Sequence, residues 1–212
     1  MAQRLVQKVQ SPALPIPTEG PLKRYLDALN NILRLFFNLL SSAVNSVVGE
    51  YGGRFIEFPN AKFFSTTDQT ASVINTAYAL QFENTYLGEA ISMVGTQITP
   101  LYSGVYNFEL SVELTSTNAN SKELSFWVRR SGVDIANTGR LHVVSGSGGV
   151  DDFEYSFTLD LTAGQYVELM WATDDTSITI DYQAAASPRP AVPSTLLTVV
   201  FVSAVPETLP TP

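Results

Sequence analysis

At 212 residues and 45% hydrophobic content, the chain is long enough for one domain with an appendage. Its formal net charge is −8 and its 12 basic residues are scattered. This argues against nucleic-acid binding, which draws its affinity from neutralised phosphates. With no cysteine there is no disulfide framework and no thiolate zinc site, and His142 is the whole imidazole inventory.

Residues 1–21 carry Pro12, Pro15, Pro17 and Pro21, which deny both helix and central strand, so an extended N-terminal arm is expected. The N-terminus holds no apolar run of signal-peptide length. Thr18-Glu19-Gly20-Pro21 reads as a helix start, with Pro21 near the first helical position.

Over residues 22–48, Leu22, Leu26, Leu29, Leu33, Phe36, Leu40, Ala43 and Val47 recur at alternating steps of four and three. That is an a/d heptad, one face of an amphipathic helix roughly 40 Å long. Ile32, Phe37, Leu39 and Val44 widen the apolar face, and Asp27, Asn31, Arg34, Asn38, Ser41 and Asn45 form a narrow polar ridge. Such a helix needs cover from copies of itself, from its own domain or from another protein. Lys23, Arg24, Asp27 and Arg34 interrupt the stretch, so no membrane span is expected. Gly49, Gly52 and Gly53 stop the helix and make residues 49–54 a hinge.

From residue 55 the period changes to two. Phe55, Ile56 and Phe58 precede Pro59 and an expected turn at Asn60, and Phe63-Phe64 open a polar stretch. Tyr78, Leu80 and Phe82 alternate with polar or small neighbours, and Ile91, Met93 and Ile98 mark two short strands. The cleanest alternation is Tyr106, Phe108, Leu110, Val112 and Leu114, a half-buried antiparallel strand. Leu124, Phe126 and Val128 give another, ending in a hairpin at Arg130–Asp134, and Leu141, Val143 and Val144 a short one. Ser145–Gly149 reads as a flexible loop. Phe153, Tyr155, Phe157, Leu159 and Leu161 alternate, Tyr166–Trp171 follows a glycine turn, and Ile178, Ile180 and Tyr182 form one more strand. Leu196–Val202 is continuously apolar and is expected to be a central strand buried on both sides, before a tail at 205–212. About ten short strands with no helical pattern between them describe an antiparallel sandwich or jelly roll.

Three pieces appear in a familiar order: Ser103-Gly104-Val105-Tyr106-Asn107-Phe108, then Phe157 to Leu169 around Ala163-Gly164, then Ser194-Thr195 opening Leu196 to Phe201. Between the first two lies Phe126 to Asp134. In this order they resemble the jelly-roll heads of the complement-head and tumour-necrosis-factor superfamily, over roughly residues 55–204. The resemblance implies a trimeric knob. The proline-bearing arm, the helix around Asn31 to Leu40, and Phe63 to Thr70 with Asn75 to Tyr78 resemble small virion proteins of tailed bacteriophages. That second resemblance implies a homotrimeric fibre, cement or adaptor piece of the virion, contacting capsid or tail proteins.

Catalysis needs a convergent set of titratable groups. His142 lies in a strand-like LHVV without a G-x-S-x-G elbow, and is expected to pack at the sheet surface. Asp151-Asp152 and Asp174-Asp175 lack the spacing of a wrapped calcium loop and read as turn acids. Ser145–Gly149 lacks the Lys-Ser/Thr of a phosphate loop. No enzyme activity, metal or cofactor is expected. The expected interface is Leu22, Leu26, Leu29, Leu33, Phe36, Leu40 and Val47. Trp127, at a polar-facing strand position, is the candidate surface contact, buried in a trimer interface by preference. The alternative is a receptor- or carbohydrate-binding module at a fibre tip, touching a host surface glycan through Trp127 or the loop at 145–149.

Overall fold

A computed structural model of the chain describes residues 14, 19–48, 58–146 and 148–204. Most of the expected arm, the glycine hinge at 49–54, residues 55–57 and the tail at 205–212 lie outside these. The chain divides into two compact units, Met1–Glu57 and Phe58–Pro212.

The first unit contains α1, Lys23–Val48. The backbone N–H of Lys23 donates to the Gly20 carbonyl at 3.1 Å, and the Lys23 ammonium pairs with Glu19 one turn back. Both contacts tie down the first turn, where backbone donors otherwise lack partners.

The second unit holds the strands β1 (Asn60–Ser65), β2 (Gln69–Thr70), β3 (Tyr78–Ala79), β4 (Asn84–Glu89), β5 (Ile91–Val94), β6 (Gln97–Pro100) and β7 (Gly104–Ser116). After them come β8 (Lys122–Arg130), β9 (Val133–Asp134), β10 (Arg140–Val144), β11 (Val150–Leu161), β12 (Val167–Thr173), β13 (Ile178–Ile180) and β14 (Thr195–Ser203). They form two 7-stranded sheets. One runs β2-β13-β7-β14-β1-β4 with β11 on the other side of β7; the second runs β10-β8-β12-β6-β5, with β3 on β12 and β9 on β8. The strand pairings are antiparallel. The first strand lies beside the last, and the chain passes repeatedly from sheet to sheet: at β2/β3, β3/β4, β4/β5, β6/β7, β7/β8, β10/β11, β11/β12 and β12/β13. That is jelly-roll topology, and the fold is a mainly β sandwich preceded by one long amphipathic helix.

β7 anchors the core. Tyr106, Phe108, Leu110, Val112 and Leu114 are all buried, and the strand is paired on both sides, with β11 and with β14 and β13. Opposite it, Leu124, Phe126, Val128, Leu169 and Trp171 supply the second layer. Phe108 and Phe157 are direct cross-strand partners with rings stacked at 4.9 Å. Phe126 of the second sheet stacks on Phe153 of the first at 4.2 Å, an aromatic contact across the layers.

Several expectations need correction. Asn60 is no turn residue but the first residue of β1, paired with Val200 and Glu89. β14 is central, between β7 and β1, yet it is not buried on both sides: Leu197 and Val199 face the core while Val200 and Val202 are exposed. Its continuous apolar run reflects a core on one face and an uncovered sheet surface on the other. β4 gave no sequence signal because it is an edge strand with its side chains mostly exposed. Of the expected strand at Tyr78–Phe82 only β3 pairs; Leu80 and Phe82 still enter the core. Tyr182 falls past the end of β13. Gly104 opens β7 instead of making a turn, and a Cβ there would lie 2.4 Å from the Phe201 ring. The Arg130–Asp134 hairpin does form, with Ser131 and Gly132 at φ of 48° and 84°, the two left-handed residues of a type I′ turn.

Candidate functional site

Apart from Leu22, in the turn just before it, the expected interface residues lie on α1, and most of them are open. Leu22, Leu26, Leu29, Phe36 and Leu40 are between 39 and 65% exposed. Leu33 is half-buried, and the side chain of Val47 lies outside the described residues. Tyr25, Ile32, Leu35 and Leu39 are also exposed, so apolar surface extends well beyond the a/d seam. Phe36 and Phe37 meet edge to face at 5.8 Å. Among the described residues, no helix is long and apolar enough to cross a membrane.

Trp127 sits on the outer face of β8 but is only half-buried, not freely exposed. It belongs to a small polar assembly on the β8–β9 hairpin. Arg129 donates from Nε to Asp134 Oδ1 at 2.7 Å, the two being cross-strand partners. Hydrogen bonding from Arg129 first, and from Trp127 after it, holds the Asp134 carboxyl below its ordinary pKa. The indole therefore has a local partner, which sequence spacing did not reveal.

His142 is placed differently from expectation. On β10 it points toward the core, where its ring meets Phe153 edge-on at 5.5 Å, and its Nε2 is buried with no partner in the protein. Leu141 and Val143 take the exposed positions instead. β10 is an edge strand, paired only with β8, and its inward side is partly open, so it tolerates His142 there. Arg140, also on that side, lies 5.4 Å over the Tyr155 ring.

The acidic pairs organise loops. Asp175 accepts from Ser177 N at 2.9 Å and Asn118 Nδ2 at 3.0 Å, and meets Lys122 at 3.1 Å. Hydrogen bonds from Ser177, followed by Lys122, pull its pKa down to about 2. Asp174 accepts from the backbone N–H of Glu123, and Asp151 from that of Ser145. Asp152 faces Glu113 across the β7–β11 pair. Burial, then the hydrogen bond and charge of Asp152, raise the Glu113 pKa, with Asp181 adding to the rise and Arg189 opposing it. A second carboxylate close by disfavours the charged form of Glu113, which is the sense of its shift. Among the described residues no group of three His, Asp or Glu side chains is arranged to hold a metal ion.

Within the segment 145–149, Gly146 and Gly148 are held against neighbouring backbone. Gly148 N donates to Ser116 O at 2.9 Å, and Gly146 packs so closely on the Ala119 backbone that a Cβ would lie 2.5 Å from its carbonyl oxygen.

One concave site was not legible in the sequence. A cavity of about 410 Å³ is walled by Asp68, Thr70, Tyr78, Gln81, Thr96 and Trp171, among others. Four separate segments contribute, so no spacing pattern marks it. The Gln69 side chain both donates to the Gln81 carbonyl (3.1 Å) and accepts from the Gln81 N–H (3.0 Å), riveting two of these segments together. Asp68 is fixed by accepting from the backbone N–H of Tyr182 at 2.8 Å. The Tyr78 and Trp171 rings lie 5.4 Å apart.

No family model matches the chain, and no curated protein does. Among solved structures, the crystal structure of murine APRIL at pH 8.5 is similar at 10% sequence identity with a TM-score of 0.45, covering 68% of this chain and 100% of that one. The jelly-roll assignment rests on the strand order and register described above.

Proposed function

We propose that the chain is a structural protein of a phage virion. It acts as a homotrimer, anchored to the capsid or tail by its N-terminal arm and helix, and displays the jelly-roll knob as a fibre, cement or adaptor piece. It carries out no catalysis. The observation behind this reading is the exposed heptad face at Leu22 and along α1: Leu22, Leu26, Leu29, Phe36 and Leu40 stay open on one periodic stripe, whereas the alternating apolar residues of β7 are buried. Full burial of one Leu or Phe is worth about 1.5–3 kcal/mol, so several uncovered on one face strongly favour association. The breadth of the face, with Ile32, Phe37, Leu39 and Val44 beside the a/d seam, fits three or more helices, or one helix lying in a socket on the particle. The virion assignment leans on the resemblance in the arm, helix and first knob strands. Electron microscopy of purified particles with this chain labelled tests it. Label on the capsid or tail in threefold clusters is the expected result; particles devoid of the chain would refute the assignment.

A further inference from the structure

The cavity between β2, β3 and the neighbouring loops has a composition of its own. Trp171 is 1% exposed, and its Nε1–H is buried with no acceptor in the protein. Buried donors nearly always find a partner, and a Trp indole in particular. Trp171 forms part of the cavity wall. Around it stand groups with capacity to spare. One Asp68 oxygen is used by Tyr182 N, which leaves the other. Thr70 and Gln81 are exposed, and the Gln81 amide is a donor and an acceptor together. Thr96 donates to Glu168 at 2.7 Å and keeps its lone pairs. Tyr78 offers a ring face and a hydroxyl bonded to Ser72 and Val73.

We propose that this cavity binds a neutral saccharide, the ring hydroxyls bonded by Asp68, Gln81, Thr70 and Thr96 against an aromatic wall of Tyr78 and Trp171. A hydroxyl donates and accepts at once, which suits a wall mixing a carboxylate, an amide and hydroxyls, with the buried Trp171 indole behind it. The volume falls in the range of small-molecule sites, with room for one or two sugar rings. No Lys, Arg or His is among the lining residues, and Asp68 together with a net charge of −8 disfavours an acidic sugar. The site is distinct from Trp127 and from the loop at 145–149. It does not depend on the chain being trimeric or on its residence in a virion.

Nuclear magnetic resonance of the full ¹⁵N-labelled chain tests it through the Trp171 indole N–H, assigned with Trp127→Phe. The probes are maltose, lactose and chitobiose, with sialyllactose as the acidic comparison. A neutral disaccharide should shift the Trp171 signal saturably, and sialyllactose should bind at least tenfold more weakly. Gln81→Ala and Asp68→Asn should each weaken binding at least tenfold while the chain melts as before. The proposal is overturned if none of the neutral sugars moves the Trp171 signal at about 10 mM, a concentration that saturates millimolar sites. It is equally overturned if the Trp127 signal moves instead, or if both variants bind like wild type. The mass of the same sample by sedimentation reads the trimer separately.

Discussion

α1 and β7 carry two equally clean periodic patterns, and the chain treats them in opposite ways. The alternating apolar residues of β7, from Tyr106 to Leu114, are 3% exposed or less because a facing sheet and two flanking strands cover them. The heptad residues of α1 repeat as regularly, yet most of them stay open. Periodicity therefore states which face of an element requires cover. It does not state whether the cover lies in the same chain. In the sandwich the complement is intramolecular; for the helix we assign it to other copies or to the particle.

That contrast breaks most visibly in the core. Phe126→Ala removes the ring stacked on Phe153 and leaves a cavity between the sheets, so stability should fall by about 3–5 kcal/mol in denaturant unfolding. Under the proposed reading, in which α1 is covered by other copies or by the particle, Leu33→Asp should leave that unfolding transition where it is. A change at Leu33 as large as at Phe126 would dissolve the distinction between the two regions.

A smaller effect sharpens the same point within β7. Gly104→Ala places a methyl against the Phe201 ring, itself packed edge-on against Tyr106 at 5.6 Å. Overpacking of this kind should cost about 1–3 kcal/mol, read as a lowered thermal midpoint.

The smallest effect is electrostatic and again confined to the sandwich. The Asp175 pKa is depressed to about 2 in the folded chain, below its unfolded value of about 3.9. A depressed carboxyl contributes stability that is complete above the unfolded pKa and is lost as pH falls through the folded one. Asp175→Asn should therefore flatten the acid limb of the stability curve between about pH 4 and pH 2, relative to wild type. Glu113 has the opposite sign. Its raised pKa favours the folded state at low pH, and that contribution fades as pH rises above its ordinary range.

Much of the fold was legible because its strands follow local rules. Phe153 to Leu161 alternate and are paired along their whole length with β7, and Ser131-Gly132 close a two-residue hairpin at the expected place. The helix runs Lys23–Val48 where the heptad placed it. The misreadings share a cause: single-strand patterns carry no information on which neighbours cover a face. Leu196–Val202 looked doubly buried because both of its faces are apolar, although one meets no second layer. His142 looked like a surface residue because it is polar, although its strand's register turns it toward Phe153. The cavity at Asp68, Gln81 and Trp171 was invisible for a stronger reason. Its residues are far apart in sequence, and only the β3–β12 pairing and the Gln69–Gln81 hydrogen bonds bring them together.

Sedimentation equilibrium of the full chain bears most directly on the helix. The account predicts a particle of three copies of the 23.1 kDa chain, reduced to single copies by Leu33→Asp with the sandwich still folded. A wild-type chain that sediments as a single copy at every concentration would contradict it.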